Sequence, residues 1–147
     1  MRKILPLLAV LVLPAVAHAE TAVSVLQSMN KMIDKLQKGD LAGAKQDALT
    51  WEEFDSISKR KIEKAAYRDN LEGFFKMIAS ELKAGVKLQR IGHIDVLILP
   101  AGEKTKQEVI MAVVHATFRL PQKEKESDPV TFLFIAHSGQ WKFFLRK

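Results

Sequence analysis

From Thr21 to Lys38, apolar residues recur at Val25, Met29, Met32 or Ile33, and Leu36. That spacing lays one buried stripe along a helix, and Gly39-Asp40 directly after it predicts the stop. A short second helix is predicted over Leu41–Ala48. Thr50-Trp51-Glu52-Glu53 then has the form of a capping box, in which Thr50 caps a helix start and Glu53 reaches back to it. The longest helix is predicted from about Arg60 to Lys83. Ile62, Ala66, Leu71, Phe74 or Phe75, Ile78 and Leu82 mark its inner side, and Gly85 ends it.

Beyond Gly85 the period changes from helix to strand. Val86–Leu99 is rich in β-branched and aliphatic residues and closes at Pro100-Ala101-Gly102. In Val109–Leu120 every second residue (Ile110, Ala112, Val114, Ala116, Phe118, Leu120) is apolar, which predicts a strand with one continuous inward face. Pro121–Pro129 reads as a charged connection. Val130–His137 and Gln140–Arg146 follow, joined by Ser138-Gly139, a two-residue turn in which glycine supplies a positive φ. Symmetric pairing across that turn sets Ala136 by Trp141, Phe134 by Phe143 and Phe132 by Leu145. The expected class is therefore α+β: N-terminal helices packed on a curved antiparallel sheet.

The N-terminus changes where this domain is expected to work. Arg2-Lys3 precede an apolar run, Ile4–Ala17, broken by Pro6 and Pro14, and Ala17-His18-Ala19 has small residues where a signal peptidase reads them. This is the layout of a secretory leader, and the run is shorter than the roughly 20 apolar residues of a membrane span. Residues 1–19 are expected to be removed after Ala19. That leaves one domain, 20–147, in the periplasm or outside the cell, with no membrane anchor. The chain has no cysteine, so it folds without disulfides, offers no thiolate zinc site and has no thiol nucleophile. Without Arg2 and Lys3 the domain carries 21 basic and 17 acidic residues, a net charge of +4. The two signs interleave, as in Lys123-Glu124-Lys125-Glu126. Nucleic-acid binding calls for a basic stripe with aromatics beside it, and none is present.

Lys38-Gly39-Asp40-Leu41 after the first helix, the long helix before the strands, and the ending Ser138-Gly139-Gln140-Trp141-Lys142-Phe143 together resemble the nuclear transport factor 2-like superfamily. That superfamily includes ketosteroid isomerase and the SnoaL-like proteins. The likeness spans nearly all of Thr21–Lys147. It implies three helices and a sheet curled around the long helix into a cone, of the cystatin-like kind. It further implies an apolar pocket at the open end and homodimers formed through the sheet. The fold hosts enzymes and binding modules alike, so function has to be read from the site.

The residues supply little catalytic chemistry. Isomerase chemistry of this kind needs a carboxylate base with acidic donors converging on a carbonyl. Here there is one tyrosine, Tyr67, whose hydroxyl is expected to reach the surface, and one strand carboxylate, Asp95, on the outward parity between Ile94 and Val96. No Ser/His/Asp arrangement and no glycine-rich phosphate loop is present, and no cofactor is expected. Trp51, Phe54, Tyr67, Phe75 and Phe118, with Phe74, are candidates to line a pocket for a small apolar ligand. Arg90, which breaks the apolar parity of its strand, must snorkel out, pair with a carboxylate or hold an anionic ligand at the pocket mouth.

Two further features belong to the outer face of the sheet. Symmetric strand pairing sets His93 opposite His115, and His137 opposite Val113 with Asp95 on the other side. The four then share a face, as metal candidates without any recognised metal spacing. Met111, Val113, Leu133, Ile135 and Phe144 also take the outward parity, which makes the sheet apolar on both sides. Such a face is covered by a second copy of the chain or by a helix or the C-terminal tail. The expectation is an exported, homodimeric, non-catalytic binding or assembly module. The alternative is a small SnoaL-like or ketosteroid isomerase-like enzyme acting on an apolar molecule.

Overall fold

The structure is a computed structural model, and it describes residues 22–122 and 126–146. The expected leader and cleavage point lie outside the described residues, as does the middle of the charged connection. Among the described residues four helices precede a four-stranded antiparallel sheet: α1 (residues 22–37), α2 (Leu41–Gln46), α3 (Trp51–Ile57) and α4 (Lys64–Lys83), then β1 (Lys87–Leu99), β2 (Val109–Arg119), β3 (Val130–His137) and β4 (Gln140–Phe144). The strands lie in chain order, β1-β2-β3-β4, in an open sheet. Among the described residues no helix is long and apolar enough to cross a membrane.

The stripe expected on α1 is buried in full: Val25, Met29, Met32, Ile33 and Leu36 all lie in the main core. The capping box forms as read. Thr50 Oγ1 accepts from the Glu53 amide at 3.1 Å, and Glu53 Oε2 accepts from the Thr50 amide at 2.9 Å. It opens a helix of its own, so the described residues hold four helices where three were expected. The long helix starts at Lys64 and not near Arg60, because residues 57–60 are held in another way. The Lys59 amide donates to Lys104 O at 3.0 Å and the Lys106 amide to Ile57 O at 2.7 Å, tying the end of α3 to the β1–β2 connection. On α4 the inner positions are Tyr67, Leu71, Phe75 and Leu82, while Ala66 is exposed. Gly85 then leaves the helix at φ +103°, and a Cβ there would sit 3.2 Å from Pro121 Cβ, so glycine suits the turn twice over.

The core lies between the helices and the inner face of the sheet. Phe75, Phe132, Phe134 and Phe143 are essentially inaccessible, and Phe143 is within aromatic contact of all three and of Phe74. The β3–β4 turn has positive φ at both Ser138 (50°) and Gly139 (74°), the backbone of a tight hairpin. Ala136 pairs with Trp141 and Phe134 with Phe143 as expected, and the ladder ends at Leu133–Phe144, one step short of Phe132–Leu145. The free edge of β4 is not left bare. The Leu49 amide donates to Phe143 O and the Phe143 amide to Asp47 O, each at 2.8 Å, so the α2–α3 connection runs beside β4 as a short parallel partner.

Candidate functional site

Two irregularities in β1 decide which side chains share the outer face. The register shifts between Leu88 and Arg90 and again between Ile91 and His93, each shift adding one unpaired residue to β1. The second extra residue is Gly92, an isolated strand glycine of the kind that marks a bulge. Beyond it the pairing is regular: His93 faces His115, Asp95 faces Val113, Leu97 faces Met111 and Leu99 faces Val109. On the other side of β2, His115 faces Thr131, Val113 faces Leu133 and Met111 faces Ile135.

The bulges also account for Arg90. It pairs with Thr117 on the outward parity, and its guanidinium lies 3.1 Å from Glu126 Oε2 at an exposed rim. The arginine thus pairs with a carboxylate on the outer side of the sheet, one of the three outcomes open to it. Tyr67 also differs from expectation. Its hydroxyl is buried and donates to Leu49 O at 2.7 Å, and its ring lies 5.2 Å from that of Phe54. Burial first, and the negative charge of Glu53 second, push its phenol well above its ordinary 10.0. Trp51 is half-buried and its indole N–H donates to Ile62 O at 2.8 Å. Phe75 is in the closed core. Of the six proposed ligand-binding residues, Phe118 borders a recess, an apolar one of about 170 Å³ walled by Ile78, Leu82, Val86, Leu120 and Val130.

The histidines divide. His93 and His115 stack with ring centroids 4.1 Å apart. The Nε2 atom of each lies 3.4 Å from Asp95 Oδ2, and His115 Nδ1 lies 3.4 Å from Thr131 Oγ1. His137 does not join them. Leu133, not His137, faces Val113, and His137 Nε2 lies 3.7 Å from Glu53 Oε1 at the other end of the sheet. The expected register placed the centre of the β2–β3 connection too late. Pairing continues past Val130: the Ser127 amide donates to Phe118 O at 2.8 Å, Ser127 Oγ accepts from the Phe118 amide at 2.9 Å, and Arg119 bridges Glu126. The resulting offset from the expected partner is four residues, an even number, so His137 keeps its predicted parity while losing its predicted neighbour.

The apolar part of the outer face is also in two pieces. Ile135 is buried within the chain, together with Leu49, Ile57 and Val109. This corrects its expected place in an interface: Ile57 at the end of α3 and Leu49, two residues ahead of that helix, cover Ile135, so no second copy is needed there. Met111, Val113, Leu133 and Phe144 remain half-buried and Leu97 is 43 % exposed. With Thr131, Leu145 and Arg146 they border an open recess of about 390 Å³ that reaches the rings of Phe74 and Phe143. Thr131 and Leu97 were not singled out in the sequence, because each becomes a neighbour of the site only through the strand register. No protein-family model, no curated protein and no solved structure matches the chain.

Proposed function

We propose that this chain is an exported module of the nuclear transport factor 2-like kind that associates with a second copy of itself through the outer face of its sheet and catalyses no reaction. The observation that carries the reading is the open apolar recess bordered by Leu97, Met111, Val113, Leu133 and Phe144. Contiguous apolar surface on a sheet exposed to water is a mark of association. The filled inner core supports the non-catalytic half of the proposal. Tyr67 and Arg90 are occupied by Leu49 O and Glu126.

Sedimentation and native mass spectrometry of the purified protein test this. The wild type is expected to be a dimer, and Met111→Lys and Leu133→Glu are each expected to give folded monomers. A wild type that stays monomeric over the accessible concentration range, or variants that remain dimeric with unchanged affinity, would overturn the reading. Ile135 is unsuited to this test, since a charge there would break the core beneath α3.

A further inference from the structure

We infer that His93, Asp95 and His115 form a binding site for a divalent transition-metal ion of the zinc class. The inference stands on its own geometry and not on the association proposed above. Three ligand atoms suited to such an ion converge, two imidazole nitrogens and one carboxylate oxygen, all within 4.8 Å of one another. The two Nε2–Oδ2 separations are both 3.4 Å. Zinc bonds its nitrogen and oxygen ligands at roughly 2.0–2.2 Å, and the edge of a tetrahedron is about 1.6 times its centre-to-corner length, or about 3.4 Å. Both spacings therefore match two edges of a tetrahedral ligand set.

The strand architecture is what holds the three groups together. His93 and His115 are direct cross-strand partners on β1 and β2, and Asp95 follows His93 by two residues, so all three side chains rise from one face. The pairing runs unbroken from Leu99–Val109 to His93–His115, so the β1–β2 hairpin itself aligns the three groups and the bulge at Gly92 lies just outside them. Thr131, directly opposite His115 on β3, supplies the outer partner. If its hydroxyl accepts from Nδ1–H, the Nε2 lone pair of His115 is directed to the Asp95 side, where a metal ligand needs it. Such outer contacts fix the imidazole tautomer in metal sites. The mixed nitrogen and oxygen donor set favours zinc and its first-row neighbours over magnesium or calcium, which take mostly oxygen. His93 and Asp95 are exposed, with side chains 63 % and 54 % accessible, so a fourth position is left to water or to an incoming ligand.

The test is a calorimetric titration with Zn²⁺ alone into the chelator-stripped protein, prepared without a histidine tag, followed by the same titration watched through the histidine ring resonances. One Zn²⁺ per chain is expected. The resonances of His93 and His115 should move and that of His137 should not. Asp95→Asn and His115→Gln should each abolish saturable binding while leaving the circular dichroism unchanged, Thr131→Val should weaken it by about tenfold to a hundredfold, and Mg²⁺ should give no heat. The inference is overturned if the wild type takes up no Zn²⁺ saturably, if uptake survives both ligand variants, or if the shifts fall on His137. Mass measurement of the same samples reports the oligomeric state separately, so loss of the dimer and loss of the metal are distinguishable results.

Discussion

At one end of the sheet's outer face, Val109 and Ile135 are buried beneath Leu49 and Ile57. At the other, His93, Asp95 and Thr131 stand exposed, with the half-buried Val113 and Leu133 between the two ends. Along β2 and β3 these ends read alike, as outward positions of the same strands. What separates them is a segment far away in sequence. The α2–α3 connection pairs with the edge of β4, and α3 then runs to the tip of the β1–β2 hairpin, where Ser58 bridges Thr105. In crossing that end it turns an outer face into a second small core. The uncovered end keeps its polar residues and the open recess beside them. A single sheet face is thus divided by one seven-residue helix into a part folded into the core and a part left open.

The largest expected effect tests the covered end. Ile57→Ala and Ile135→Ala each remove a buried branched side chain and leave a cavity, at a cost of about 2–5 kcal/mol. Val113→Ala, at a half-buried position of the open part, should cost well under half as much, since less apolar area leaves water. Chemical denaturation at a concentration where the protein is monomeric checks both. Equal losses at Ile135 and Val113 would erase the distinction between the two ends.

The division was only partly legible in the amino-acid order. Local signals carried far: the α1 stripe, the Thr50–Glu53 box, the Ser138-Gly139 turn, and the cross-strand pairs His93–His115 and Asp95–Val113 all appear as read. Features depending on a bulge or on a distant segment did not. Gly92 signals a bulge, yet how that bulge moves Arg90 to the rim follows only from the full register. The cover over Ile135 comes from residues about 80–90 positions earlier, and no periodicity within β3 records it. Tyr67 was misplaced for a similar reason: the acceptor for its hydroxyl is the backbone of Leu49, eighteen residues away, and a backbone carbonyl leaves no mark in sequence.

That contact gives the next test of the covered end. Leu49 is fixed on three sides, by its amide on Phe143 O, by its carbonyl under the Tyr67 hydroxyl, and by its side chain against Ile57 and Ile135. Tyr67→Phe keeps the ring and strips the carbonyl of its donor, which should cost about 1–3 kcal/mol. The pH dependence carries a second signature. The phenol is held above its ordinary 10.0 in the fold, so the folded chain keeps a proton that the unfolded chain gives up first. The associated stability is intact below pH 10 and declines as pH rises above it. Thermal melts between pH 8 and about 11 should fall more steeply for the wild type than for Tyr67→Phe. Parallel curves would mean that the hydroxyl does not anchor Leu49.

The smallest expected effect belongs to the open end. Asp95 lies 3.4 Å from two imidazoles, an arrangement that resembles a structural ion-pair cluster, but its side chain is 54 % accessible and solvent screens what attraction exists. In the presence of chelator, Asp95→Asn should leave stability within about 0.5 kcal/mol of the wild type. Measured by urea denaturation, such a near-zero change would mark the His93–Asp95–His115 cluster as a group that the fold holds without needing. A loss of more than about 1.5 kcal/mol, beyond what an exposed pair contributes, would instead make Asp95 part of the framework and move the boundary between the two ends past Val113. The same substitution is expected to abolish zinc uptake, so a large change in binding beside a negligible change in stability is the combination that separates a site from a structural contact.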